Sequence, residues 1–124
     1  MLIAKTVPKE HMNGAEGLWW AEYRVRLLSD EERAKAQAFV THALEVRYCH
    51  ERDSEYCQHH PGAWGLWDYG RSPKEAAESC MGDSLYTEAQ SLHPLHEAMK
   101  VRWYRDKVRQ IKIADLRQKT HHGG

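Results

Sequence analysis

The chain lacks an excess of charge of either sign, has no long apolar run, and carries only three cysteines and one phenylalanine. Eighteen basic side chains match eighteen acidic ones, so no overall field marks it as a binder of nucleic acid. No stretch approaches the ~20 apolar residues that a membrane span needs. The opening residues, Met1 to Pro8, lack both a basic n-region and a long apolar core, so no secretion signal is read there; a cytoplasmic location without membrane contact is expected. Cys49, Cys57 and Cys80 form an odd set in a chain large enough to fold without staples, which argues against a disulfide framework and predicts reduced thiols.

Catalytic motifs are missing as well. There is no Gly-rich phosphate loop, no His-Glu-x-x-His and no Gly-x-Ser-x-Gly. His93-Pro94-Leu95-His96-Glu97 does not fit a metalloprotease, because Pro94 at a helix start leaves His93 as a cap. Cys49 and His50 are neighbours that a helix would point about 100° apart, so they make no nucleophile and base. Cys80 near Asp83 is the other pair that could be written so, with nothing to complete it. A non-enzymatic protein without a cofactor is expected.

What is present suits one globular domain over residues 1–124, with 41% apolar and 29% charged residues and large rings in five Trp and six Tyr. Residues 1–13 read as an extended arm with a short strand at Leu2 to Val7, and 120–124 as a flexible tail. Ala15 to Leu28 reads as a helix. Ser29-Asp30-Glu31-Glu32 is a capping box that starts another, extended to about Glu51 because Ala36, Phe39, Ala43, Val46 and His50 recur at helical spacing. Gly62 to Gly70 reads as an aromatic loop. Ser72-Pro73-Lys74-Glu75 opens a short helix to Met81 with Gly82 behind it, Asp83 or Ser84 caps another to Leu92, and Pro94 begins a last helix to about Lys119. The expected fold is all-α, a compact bundle of about four to five helices. Its last helix would be roughly 39 Å long, against roughly 35 Å for the diameter of the whole globule.

Four features bear on function. On the last helix Arg102, Arg105, Arg109 and Lys112 share a sector about 80° wide, beside an equally narrow stripe of Val101, Tyr104, Val108 and Ile111. With Trp103 for stacking, this basic stripe is a candidate nucleic-acid surface; the plainer reading is a solvated face that complements the helix dipole. In the expected first helix, Trp19, Trp20, Tyr23 and Leu27 form a second apolar side, suited to a protein partner or a homodimer. Trp64 and Trp67 in the aromatic loop are either a lid on the core or a recognition surface, the lid being preferred. Finally, Cys49, Cys57, His59 and His60 are zinc-type ligands without finger spacing. On one helix Cys49 and Cys57 would stand about 12 Å apart, so a zinc-binding domain is only an alternative.

Charge is laid out unevenly: residues 45–97 hold 4 basic and 10 acidic groups, and residues 98–124 hold 8 basic and 2 acidic. No residue pattern ties the chain to a family. Its texture, short, aromatic-rich and free of motifs, resembles that of small phage or mobile-element accessory proteins, including inhibitors of host defence enzymes. The expected function is a regulatory or inhibitory module that binds a protein partner, with nucleic-acid binding as the alternative.

Overall fold

From Ala21 to Leu27 apolar and charged residues alternate one by one, and the chain takes this period of two as a strand rather than a helix. The same alternation runs through Leu44-Glu45-Val46-Arg47-Tyr48 in the next strand. The computed structural model describes residues 1–10, 17–36, 39–51 and 63–122, with side chains to residue 118. Among them the order is β1 (Leu2–Lys5), β2 (Lys9–Glu10), β3 (Leu18–Leu27), α1 (Asp30–Lys35), β4 (His42–His50), β5 (Gly65–Gly70), α2 (Pro73–Glu78), α3 (Ser84–Thr87), β6 (Gln90–Ser91) and α4 (Pro94–His122).

The fold is therefore mixed, not an all-α bundle: a six-stranded antiparallel sheet in the order β5-β4-β3-β1-β6, with β2 also paired to β3. Four expectations are corrected, the first being that the helix capped by Asp83 ends at Thr87 instead of Leu92, with Gln90–Ser91 forming β6. Ala15 to Leu28 is not a helix; its described part is β3. The helix begun at Ser29 ends at Lys35 instead of Glu51, because Ala36 takes an extended conformation; Ala43, Val46 and His50 then belong to β4, where their helical spacing has no meaning. Gly65 to Gly70 of the supposed aromatic loop is β5.

β1 and β2 lie along the same edge of β3, one strand interrupted at Thr6 to Pro8. Proline has no N–H to give a ladder. Thr6 bridges the break: its amide donates to the Ala21 carbonyl at 2.9 Å and its hydroxyl accepts from the Ala21 amide at 2.8 Å.

The helix-start signals perform as their chemistry requires. Ser29 and Glu32 close a reciprocal capping box, Ser72 with Pro73 behind it caps α2, and Asp83 caps α3. Helices α2 to α4 cover one face of the sheet. Ala21, Tyr23 and Val25 of β3 and Leu44 and Val46 of β4 meet Ala76, Ala77, Cys80, Tyr86, Ala89 and Met99 from the helical layer. Small residues let α2 lie close: a Cβ added at Gly70 would stand 2.7 Å from the Ala76 Cα. Tyr23 and Tyr86 fill the middle edge to face, 4.8 Å between ring centres, and burial raises both phenols well above their usual range. Burial likewise pushes the Cys80 thiol up, leaving it an inert core residue.

Candidate functional site

α4 runs 29 residues, about 44 Å at 1.5 Å per residue. Among the described residues, its first third supplies the side chains that pack on the core. His96 and Met99 are buried, and Leu95 and Trp103 pack on the core. The His96 ring is locked from both sides: Nε2 lies 2.8 Å from the Tyr86 carbonyl, and so carries the proton, which leaves Nδ1 to accept from the Ser91 hydroxyl at 2.6 Å. Burial holds this imidazole below its ordinary pKa, with the bond to Tyr86 working the other way. Lys100 donates to the Ala89 carbonyl at 3.3 Å.

Beyond Asp106 every described side chain of α4 is exposed. Val101, Tyr104, Val108 and Ile111 stand at 49%, 48%, 50% and 55% exposure along one stripe, and Leu116 at 65% lies outside it. At its foot the stripe runs into an open groove of about 700 Å³ between the first turns of α4 and the β6 edge, lined by Leu92, Pro94, Glu97, Val101 and Arg105 among others. Arg102 bonds Glu78 at 3.0 Å, and Lys107 lies over the Trp103 ring at 4.5 Å. Arg105, Arg109 and Lys112 make no ion pair among the described residues. Trp103 is half-buried, packs on the core and stands edge-on to Tyr104 at 4.9 Å.

The second polar surface is the outer face of the sheet. The alternation that buries Tyr23 and Val46 sends Glu22, Arg24, Arg26, Glu45 and Arg47 to the opposite side. Arg24 and Arg26 each bring Nε to Glu45, at 2.8 and 3.0 Å, and Arg26 also forks onto Glu32 at 2.7 and 2.8 Å. Glu45 is 7% exposed. Burial works against its carboxylate, but the bonds from Arg26 and Arg24 outweigh it and hold the group below its usual range; Arg26 draws Glu32 down to about 2. Arg47 bonds Glu22 at 2.6 Å, and the Trp64 ring lies against the guanidinium groups of Arg24 and Arg47, 4.2 and 4.5 Å from its centre. Each charge here has an opposite neighbour, so the face is knit together rather than poised to bind an ion.

The residues expected to form one protein-binding side are dispersed. On a strand, Trp19 and Trp20 point to opposite faces. Trp19 donates to the Glu10 carbonyl at 3.1 Å and lies near Tyr48, whereas Trp20 lies under Lys5, its buried indole N–H without an acceptor among the described residues. Tyr23 is core. Leu27 is exposed at the far end of β3, Trp64 lies on the outer face, and Trp67 is exposed on β5. Of the zinc-type ligands, Cys49 faces the outer side with Sγ 3.5 Å from Glu22, and Cys57, His59 and His60 lie outside the described residues. No group of three or more metal-ligating side chains occurs among the described residues.

Sequence reasoning missed the outer charge network, whose signal was the period-two run Glu22-Tyr23-Arg24-Val25-Arg26. No helix among the described residues is long and apolar enough to cross a membrane. No protein-family model, curated protein or solved structure matches the chain.

Proposed function

We propose that the protein is a non-enzymatic binding module that engages a protein partner through the projecting part of α4, acting as a regulatory or inhibitory element by occupying that partner's surface. One observation carries this: an apolar stripe, Val101, Tyr104, Val108 and Ile111, runs on from the body with half of each side chain in water. A solvated stripe at the 3-4-3 spacing of a packing seam is the pattern by which an amphipathic helix docks. Burying it would recover roughly 1 to 2 kcal/mol for each large apolar side chain.

Photo-crosslinking in the native cell tests it. A photoreactive residue at Val108 or Ile111 should yield discrete protein adducts, and the same residue at Tyr69 on the outer sheet face should not. Adducts at Tyr69 alone, or none at 108 and 111, would refute the reading.

Nucleic-acid binding is the second reading, favoured by Arg105, Arg109 and Lys112, which make no ion pair among the described residues. It asks the exposed Val108 and Ile111 to do nothing, and Trp103 is committed to packing. Under it, DNA or RNA affinity should fall steeply with salt; absence of binding at low salt removes it.

A further inference from the structure

Resting on that reading of α4, we infer that the occupant of the stripe is an acidic amphipathic helix of the partner and not a second copy of this chain. Flanking charge selects the occupant. Val101 and Val108 stand seven apart, as do Tyr104 and Ile111, so the stripe is the a/d seam of a short heptad pattern. The flanking e positions are then Arg105 and Lys112, and the flanking g positions Lys100 and Lys107. All four are cationic.

A second copy would meet this seam with the same charges. In a parallel pair Lys100 would face Arg105 of the other chain and Lys107 would face Lys112; in an antiparallel pair Arg105 would face Lys112. Every pairing is repulsive, so self-association is disfavoured in both orientations. A helix with Glu or Asp at its own e and g positions turns each contact into an opposite-charge pair, while its apolar a and d residues cover Val101, Tyr104, Val108 and Ile111. Glu97, one heptad before Tyr104, interrupts the seam at the groove and favours a basic residue there in the partner. Asp115, one heptad after Val108, ends the seam at the other side. The two acidic residues bracket the docked helix between them.

The test uses the full chain and two synthetic helical peptides of about four heptads with Leu at a and d, one carrying Glu and the other Lys at e and g. The acidic peptide should bind at least about tenfold more tightly than the basic one. Val108→Glu with Ile111→Glu should abolish binding without altering the melting of the body, since both side chains are solvated. Arg105→Glu with Lys112→Glu should reverse the preference toward the basic peptide.

Equal affinity for the two peptides, or no binding of the acidic one, overturns the inference. So does concentration-dependent self-association lost in the Val108→Glu, Ile111→Glu variant, which would assign the seam to a second copy. Salt-sensitive binding of duplex DNA with no peptide binding assigns α4 to nucleic acid. If crosslinks from Val108 to a protein persist while the acidic peptide fails, only the partner's chemistry is refuted; loss of the crosslinks removes the reading of α4 itself.

Discussion

The Ser91 hydroxyl lies 2.6 Å from Nδ1 of His96, which fastens the base of the long helix to the last strand of the sheet. Because Nε2–H is given to the Tyr86 carbonyl, the ring has no room for a second proton without losing Ser91 as a donor.

A pH dependence follows. The folded imidazole titrates below 6.5, its unfolded value, so beneath that pH the unfolded chain binds more protons than the folded one. Stability should be full above about pH 6.5 and fall as the pH drops below it. His42, also lowered by burial, adds in the same direction. Urea midpoints at about pH 7.5 and 5.5 should differ, and His96→Gln should shrink that difference; an unchanged slope in the variant would show that His96 is not responsible.

Glu45 and Glu31 should behave oppositely although both are paired. Glu45 is buried between Arg24 and Arg26, so Glu45→Ala takes the carboxylate partner from Arg24 and leaves Arg26 only Glu32, and should cost about 2 kcal/mol. Glu31 and Lys35, 3.6 Å apart, are both largely in water, and Glu31→Ala should change stability by less than about 0.5 kcal/mol. Equilibrium unfolding of the two variants decides the matter.

Gly70 closes β5 under α2. Its φ is unremarkable, so the constraint is space: a Cβ would press on the Ala76 backbone, which no rotamer change can relieve. Gly70→Ala should destabilise by roughly 2 kcal/mol or more, whereas Gly82→Asn meets open space and bears only the backbone strain of a left-handed φ of +103°, about 1 kcal/mol. Comparable losses in the two variants would contradict this account.

Beyond Asp106 the described side chains of α4 are exposed, so this part of the helix takes no support from the core. Isolated helices of about 15 residues are marginal in water, so amides from Val108 to Gln118 should exchange far faster than those of His96 to Trp103. Addition of the acidic helical peptide that α4 is proposed to bind should slow the first group and leave the second unchanged. Uniform protection along the helix in the free protein would be the contrary result.

Legibility in the sequence followed the range of the interaction. Ser29, Ser72 and Asp83 announce helix starts because a cap is satisfied within three residues, and each was found in place. Pro94 and the absence of breakers behind it made α4 legible, though it runs to His122 rather than Lys119. The sheet was misread because Leu18 to Leu27 admits two periods: Leu18, Ala21, Val25 and Leu28 sit at helical spacing while Ala21, Tyr23, Val25 and Leu27 sit at strand spacing. β4 across the ladder settles which is used, and that partner is distant in sequence, as the pairing of Tyr23 with Val46 shows. For the same reason the stripe of α4 survived the change of fold, and the grouping of Trp19, Trp20, Tyr23 and Leu27 did not.

The register shift where β4 meets β5, between Leu44 and Glu45, has a bearing on how copies of the molecule coexist. Among the described residues β5 is a border of the sheet, six residues long and mostly exposed, with Leu66, Trp67 and Tyr69 along it. A straight border of that composition is a template on which a neighbouring molecule could add its own border, and then another. The extra residue throws the spacing of outward amides and carbonyls out of step and bends the strand, so an incoming ribbon could match one half of it but not both. With the apolar stripe of α4 already exposed, the molecule is thereby spared a second surface of the kind that polymerises, and Trp67, the residue left over by the shift, marks the break in that border.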